Sequence, residues 1–402
     1  MTHRLFHDDA YRRECATQVR AVRRAADGRD EVALEATVFY PASGGQPADA
    51  GTIAGLPVAD VREEGGEIWH ALAPDPGAAP LAPGQAVEAV IDWARRFDHM
   101  QQHTGQHILS QAFLRAVGAQ TVAVHMDRSC TLDLAVAALD AGGAAAAEDL
   151  ANAVVMENRP VRTTEVDLPE AAAMGLRRPP KQTGRLRVVE VDGFDRSACG
   201  GTHVRASGEV GPIAIRGWER YKGGVRVEFV CGSRALRDSR RLRERLRALT
   251  ARLGAAADDL PAAVERLAER ARELERELGV ARRALHEHEA AALLARATGP
   301  PRVVAAAFAD RSIEDLRGLA RALTAPADGV AILAAGRHLL VARGAEVSLD
   351  AAAVVRDALA AFGGRGGGRE VAAEGAAPAA PSAEALVAAA VAVARARLAA
   401  PP

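Results

Sequence analysis

Residues 98–117 read DHMQQHTGQHILSQAFLRAV. The stretch has no proline, opens on a residue that caps helices, and sets Ile108, Leu109 and Phe113 along one stripe. It predicts a helix starting at Asp98. On such a helix His103 and His107 lie one turn apart and present two imidazoles on one face. Further along, CGGTH (199–203) repeats the ligand spacing with a cysteine and a histidine. Gly200 and Gly201 disfavour a helix there, so a turn must bring Cys199 and His203 together. Three histidines and a cysteine make the tetrahedral nitrogen and sulfur set that zinc prefers. For either pair alone a satisfied core histidine or a structural cysteine is the plain alternative; both pairs in one chain favour a single shared site.

The flanking sequence divides into four segments. Residues 1–94 read as short strands and turns: EVALEATVFYP alternates and stops at Pro41, and GLPVADVREEGGEIWHAL is a hairpin pattern, giving a small β-barrel-like domain. Residues 95–233 mix helices and strands without a βαβ repeat, as in an α+β domain. There, RLRVVEVDGFDRSACGGTHV reads as a strand followed by a loop. Residues 234–298 are helical, and Val264, Leu267, Ala271, Leu274, Leu278, Ala281 and Leu285 form a heptad seam, the mark of a coiled-coil arm. Residues 299–402 follow a Gly-Pro-Pro boundary and read as a small α/β domain with a glycine-rich loop, GGRGGGR (363–369), and a last helix from Ser382. The fold class is therefore α+β.

The chain has 402 residues, with 51 basic and 52 acidic side chains and a formal net charge of −1. It is long enough for more than one core and not globally basic, so any contact with nucleic acid must be local. Its two lysines, Lys181 and Lys222, both fall in basic segments, RRPPKQTGRLR (177–187) and RGWERYKGGVR (216–226), the second with Trp218 and Tyr221 available for stacking. Lys181, Arg185, Lys222 and Arg226 are the candidate phosphate contacts; a solvated basic loop is the alternative. His125 fits a packing role on a strand as well as a site role. His286 and His288 read as solvated residues of the arm, and Cys130 and Cys231 as small buried apolar side chains. Four scattered cysteines do not make a disulfide framework. The first residues, MTHRLFHDDAYRRECATQ, lack the apolar run of a signal peptide, and no run is long enough to span a membrane. The expectation is a reduced, cytoplasmic protein with no membrane partner.

Four stretches in order, TVFYPASGGQPADAG (37–51), HTGQH (103–107), SACGGTHV (197–204) and YKGGVRVEF (221–229), resemble the editing domain of alanyl-tRNA synthetase. More closely, they resemble the stand-alone alanyl-tRNA editing proteins of the AlaX type, long form. GGRGGGR resembles the glycine-rich motif of the synthetase's C-terminal domain, which some phosphoesterases share. The resemblance covers nearly the whole chain. It implies a zinc-containing editing core with one zinc per chain, held by His103, His107, Cys199 and His203. It implies that Thr37 senses a substrate hydroxyl. By its spacing after the second histidine, Gln120 matches the editing glutamine of the synthetase, although GAQTVAVHMD departs from the synthetase's local sequence. Gly363, Gly364, Gly366, Gly367 and Gly368 are the implied tRNA contacts of the C-terminal domain.

The implied reaction is hydrolysis of tRNA(Ala) mischarged with serine, and to a lesser extent glycine, with alanyl-tRNA(Ala) spared. No ATP-binding motif of a class II synthetase is recognisable, so synthesis is not expected. With four protein ligands, the metal positions the substrate (the favoured reading), binds it by exchanging or adding a ligand, or holds the pocket together. A non-catalytic tRNA-binding protein shaped by zinc is the alternative; a phosphoesterase would need an aspartate-rich metal centre, which the chain lacks. The arm suggests a homodimer, through itself or the C-terminal domain, or else a hairpin within one chain.

Overall fold

A computed structural model describes the chain except for residues 26–27, 75–76, 78, 128, 180–183 and 400–402. The chain forms two compact units, Met1–Ala248 and Leu249–Pro402.

The first unit begins with a closed barrel. Its strands run Glu14–Arg24, Asp30–Leu34, Glu67–Leu72, Leu56–Glu64, Gly51–Ile53 and Ala86–Ile91, the last pairing back with the first. Closure leaves no strand edge exposed. Period-2 alternation turns Val32, Leu34, Val61, Ile68, Val87 and Ala89 into a shared apolar core.

The helix expected at Asp98 spans Trp93–Val117, and Asp92 caps it by accepting a hydrogen bond from the Arg95 amide. Asp98 is therefore an internal residue, and its carboxylate instead takes the Arg234 guanidinium, 2.7 Å away. The start lies earlier because WARRF contains no breaker and Asp92 already supplies the capping oxygen. Nor is the helix one-sided, as the Ile108–Leu109–Phe113 stripe suggested. Gln101, Gln102, His103, Thr104, Gln106, His107 and Ser110 are buried as well. Buried polar groups need partners, and these have them. Gln102 pairs with both backbone groups of Cys231 (3.0 and 2.8 Å), and Gln101 donates to the Glu209 carbonyl (2.9 Å).

Around this central helix lie the helix Ala141–Met156 and an antiparallel sheet ordered Ile213–Tyr221, Gly224–Cys231, Cys130–Ala135, Gln120–Met126. A second sheet pairs Val161–Val166, Leu186–Val191 and Asp195–Ala198. The last strand corrects the sequence reading: the chain reverses after Val191 and returns as a hairpin that ends at Cys199. Its four residues, DRSA, are too short and polar to signal a strand.

The arm comprises the helices Gly232–Leu253 and Leu260–Leu294. Val264, Leu267, Leu274, Leu278 and Leu285 of the seam are exposed. The far end of the second helix belongs to the core of the second unit, where Ala290 and Leu294 pack with Leu316, Leu319 and Leu323. His286 is accordingly buried and bonded to Asp315 (3.1 Å), not solvated as expected from its place on a polar helix.

The second unit is a five-stranded sheet ordered Arg302–Phe308, Gly329–Ala335, His338–Arg343, Ala372–Ala376, Arg365–Arg369. GVAILAA (329–335) is apolar throughout because it is covered twice. Val330, Ile332 and Ala334 meet the helices Ala351–Ala360 and Ala383–Ala399, while Ala331, Leu333 and Ala335 meet the helix Ile313–Leu323. GGRGGGR is not a loop: Arg365–Arg369 is the edge strand. A Cβ on Gly366 would sit 2.5 Å from Val355 Cγ1, so glycine here lets the strand lie close against a helix. No helix among the described residues is long and apolar enough to cross a membrane.

One buried ion pair joins the barrel side to the central helix. Arg96, fully buried, donates through Nε to both Asp49 oxygens (3.1 and 3.0 Å), through Nη1 to the Ala10 carbonyl (2.8 Å), and through Nη2 to Asp49 and the Val38 carbonyl (2.6 Å). Arg96→Ala should strand the Asp49 charge and cost about 3–5 kcal/mol in urea unfolding. A loss under about 1 kcal/mol would show that the pair does not hold these segments together.

Candidate functional site

The central helix places His103 and His107 one turn apart, and the hairpin Leu186–Ala198 delivers Cys199 and His203 to the same spot. The ligand atoms of the four residues lie within 4.8 Å of one another. Cys199 Sγ is 3.2 Å from His103 Nε2 and 3.4 Å from His203 Nε2. Those separations match the edge of a tetrahedron with metal bonds of ~2.0–2.3 Å.

Every imidazole is held from behind. His103 Nδ1 donates to Gln46 Oε1 (2.8 Å), and His107 Nδ1 to Asp195 Oδ2 (3.1 Å). His203 Nδ1 meets the Thr104 hydroxyl (3.1 Å). A carbonyl or carboxylate oxygen only accepts, so His103 and His107 carry a proton on Nδ1 and turn Nε2 toward the other ligands, the orientation that metal ligands adopt. Gln46 is fixed in turn: its Oε1 accepts from the Thr202 amide (3.1 Å) and its Nε2 donates to the Thr202 hydroxyl (2.8 Å). Gly201 is required by contact, since a Cβ there would fall 2.1 Å from His103 Cε1.

The charges fit a cation. Burial opposes ionisation of Cys199, yet the His103 and His203 imidazoles hold its thiol well below its ordinary value. His107 is also buried, but Asp195 and then Cys199 raise it to about 9. His203 is pushed down to about 3, by burial and then by His103. Asp195 stays below the usual carboxylate range against its own burial, because it faces His107 and Arg177. Arg177 donates to Asp195 (2.8 Å) and Ser197 (3.0 Å), and Arg187 clamps the CGGTH loop through the Cys199 (3.0 Å) and Gly201 (2.6 Å) carbonyls.

His103, His107 and Cys199 lie in the wall of a cleft of about 860 Å³. Its other walls include Tyr40, Ser43, Gln106 and Thr121, with Arg4, His7, Arg178 and Arg185 also facing it.

The chain is 30% identical over 387 residues to the Alanyl-tRNA editing protein AlaX-L of Pyrococcus horikoshii, covering 93% of this chain and 94% of that protein. The chain belongs to the alanyl-tRNA editing protein family. It is also 34% identical over 242 residues to Alanyl-tRNA editing protein Aarsd1 of Rattus norvegicus, which spans 59% of this chain and 58% of that one. Alanine–tRNA ligase of Pyrobaculum neutrophilum is 33% identical over 397 residues, 93% of this chain but 42% of the ligase. The family described as Threonyl and Alanyl tRNA synthetase second additional domain matches residues 186–228, the segment that contains Cys199 and His203. Among solved structures, the C-Ala domain from Aquifex aeolicus alanyl-tRNA synthetase is similar over 23% of this chain and 89% of its own, at 21% identity and a TM-score of 0.22, too low to establish a shared fold.

Several expected site residues lie elsewhere. Thr37 is fully buried outside the cleft wall, and its hydroxyl is already committed. It accepts from the Phe39 amide (3.1 Å) and donates to His70 Nε2 (2.8 Å), because His70 Nδ1 donates to the Val32 carbonyl (3.0 Å). Gln120 is exposed at the start of its strand and does not line the cleft, whereas Thr121 does. Successive strand residues face opposite sides, so a count of residues after His107 does not say which of the two faces the cleft.

Of the basic candidates, Lys181 lies outside the described residues. Arg185 is exposed at the cleft, loosely opposite Glu165 at 3.8 Å. Lys222 sits at the hairpin turn near the Tyr221 ring. Arg226 is taken: it directly opposes Asp133 across the strands and binds both carboxylate oxygens (2.6 and 2.8 Å). Gly364, Gly366 and Gly368 are explained by close packing, while Gly363 and Gly367 have open space around them. Gly367 and Gly368 border a groove with Arg317, Arg321 and Arg343.

Sequence reasoning missed Gln46, Asp195, Thr104, Arg177 and Arg187 as supports. Gln46 stands inside the SGGQP run and Thr104 inside HTGQH, so both sit in stretches that the sequence marks out.

Thr37→Val should leave the Phe39 amide and His70 Nε2 unpaired in the interior, costing about 1–3 kcal/mol for each group. Melting temperature should fall, and deacylation of seryl- and alanyl-tRNA should change in parallel. A selective loss with seryl-tRNA, at unchanged stability, would return the hydroxyl-sensing role to Thr37.

Proposed function

We propose that the chain is an aminoacyl-tRNA deacylase, a hydrolase that edits mischarged tRNA(Ala). Its substrate is tRNA(Ala) carrying serine, and to a lesser extent glycine; alanyl-tRNA(Ala) is spared. The observation that carries this reading is the ligand cluster set in the wall of a cleft that has arginines at its edge, in a chain of the alanyl-tRNA editing family. A cluster that served folding alone would need no cleft.

Zinc is the metal the donor set suits, through Nε2 of the three histidines and Sγ of Cys199. When bound, it supplies a positive charge that orients the polar end of the substrate. The remaining work falls to the chain. Gln46, Asp195 and Thr104 hold the imidazoles, and Arg187 holds the loop that carries Cys199. Arg178, without a hydrogen bond or ion pair among the described residues, and Arg185 face the cleft where the phosphates of an acceptor end would enter.

Selection between serine and alanine needs a neutral hydrogen-bonding group in the cleft. Gln106 and Thr121 line it, and both donate to the Ser110 hydroxyl (2.8 and 2.9 Å), a network that fixes their orientation. They are the residues to which we assign recognition of the serine hydroxyl.

The decisive measurement is deacylation of seryl-, glycyl- and alanyl-tRNA(Ala) by the purified protein, with fast release of serine and slow release of alanine expected. Binding of all three without hydrolysis would favour a tRNA-binding protein. Thr121→Val should slow seryl-tRNA hydrolysis roughly ten- to a hundredfold, the rate equivalent of one lost hydrogen bond, and leave alanyl-tRNA unchanged. An equal effect on both would remove Thr121 from selection.

The metal has its own check. The protein should carry about one zinc per chain, and Gln46→Ala should weaken zinc binding ~10–100-fold by freeing the His103 ring. Full zinc content in a His103→Ala, Cys199→Ala double variant would rule out the shared site.

A further inference from the structure

Four protein donors surround the candidate metal position, so the closed set leaves water activation to another group of the cleft. One histidine that lines the cleft is not a ligand. His7 sits on the short helix Leu5–Asp8, carried there by the strand His3–Arg4, which pairs in parallel with Ala36–Thr37. Its ring is half-buried and packs edge-on against Phe6. Its Nε2 lies 3.0 Å from the carbonyl oxygen of Gly200, the residue after Cys199. A carbonyl only accepts, so Nε2 carries the proton and Nδ1 the lone pair. Among the described residues nothing hydrogen-bonds to Nδ1. The ring is thus a neutral base with a fixed tautomer, anchored beside the ligand loop.

The cleft's other bases are less suited. Glu63 is bound to Arg4 at 2.6 Å, and Glu165 faces Arg185. An imidazole is the more effective general base near neutral pH, because such a base works best near its own pKa.

We propose that His7 is the general base of the deacylation, taking the proton of the attacking water on Nδ1. This rests on the deacylase reading above. The water oxygen bonds to the ester carbonyl carbon while its proton moves to Nδ1. The tetrahedral intermediate then breaks its bond to the ribose oxygen, which takes that proton back. The products are the free amino acid and tRNA with a restored hydroxyl. The surroundings keep the base available: burial first, then Arg187, lowers the His7 pKa from 6.5, with Arg4 adding to the effect and the Gly200 carbonyl and Glu165 opposing it. The ring is therefore neutral at pH 7.

The test uses the full chain with its metal content measured. His7→Gln keeps an amide donor for the Gly200 carbonyl but has no base. Single-turnover hydrolysis of seryl-tRNA(Ala) is followed from pH 5 to 8.5 for both proteins. The variant should be slower by about 10²-fold at neutral pH, with metal content and melting temperature unchanged. The ratio of wild-type to variant rate should shrink below pH 6.5 as His7 takes a proton; titration of the substrate cancels in that ratio. In His7→Ala, added imidazole should restore part of the rate. A wild-type rate in His7→Gln, or a ratio that does not vary with pH, overturns the assignment. If the wild-type protein releases no amino acid from any of the three tRNAs, the deacylase reading falls and this one with it.

Discussion

The buried Arg96–Asp49 pair is the constraint on which the site depends. Two charges taken out of water are costly unless every hydrogen-bonding position is filled. Here they nearly are: the Arg96 guanidinium meets the Asp49 carboxylate and two carbonyls, and Asp49 also accepts from the Tyr40 amide at 2.7 Å. Those contacts tie the segment before the barrel, the run after Thr37 and the central helix into one piece. The loop between Tyr40 and Asp49 is thereby held at both ends against the helix that bears His103 and His107. Gln46 lies within that loop, so the position of a barrel-side glutamine and the orientation of a helix-borne imidazole are set together.

From this anchor the site reads as two layers. The inner layer is the donor set, three imidazoles and one thiolate. The outer layer fixes each ring and the charge. Asp195 lowers the cost of a protonated or metal-bound His107, and Arg177 in turn keeps Asp195 ionised. Arg187 and His7 both hold carbonyls of the CGGTH loop, which has no regular structure of its own. A turn with two glycines can fold tightly enough to bring Cys199 and His203 together, but it needs such external clamps to stay there.

The sequence made the ligand set legible because two four-residue spacings of rare residue types carry their own geometry. The α+β class, the strand-rich first segment and the long helices were equally accessible from periodicity. The supports were not: Asp195 and Arg187 look like ordinary surface charges until the hairpin Leu186–Ala198 turns them inward, and Arg177 precedes that hairpin in a segment legible only as basic. Thr37 shows the opposite gap between motif and structure. Its motif position suggested a substrate contact, but its side chain faces the interior, where His70 uses the hydroxyl. Gln120 lies exposed beside Thr121 of the cleft wall, and no count of residues after His107 supplies the parity of a strand. His286 was misread because α-helical polarity does not show that another helix will cover one end of the arm.

Under the proposed function, the burial of Thr37 outside the cleft wall moves the question of selectivity to the residues that line it. A pocket that merely leaves room for a hydroxyl gains little discrimination, whereas one whose polar groups await that hydroxyl can reject the analogue without it by roughly 10⁴ to 10⁵. That difference arises only when the waiting groups are held in place and cannot turn to satisfy one another. Gln106 and Thr121 meet the condition because both are tied to Ser110, and Gln106 is rooted in the same buried helix as the ligands beside it. On this reading the selective element and the metal ligands share one rigid support. The amino acid is then sensed at a fixed distance from the bond to be broken, and the polar residues buried along the central helix are what hold that distance.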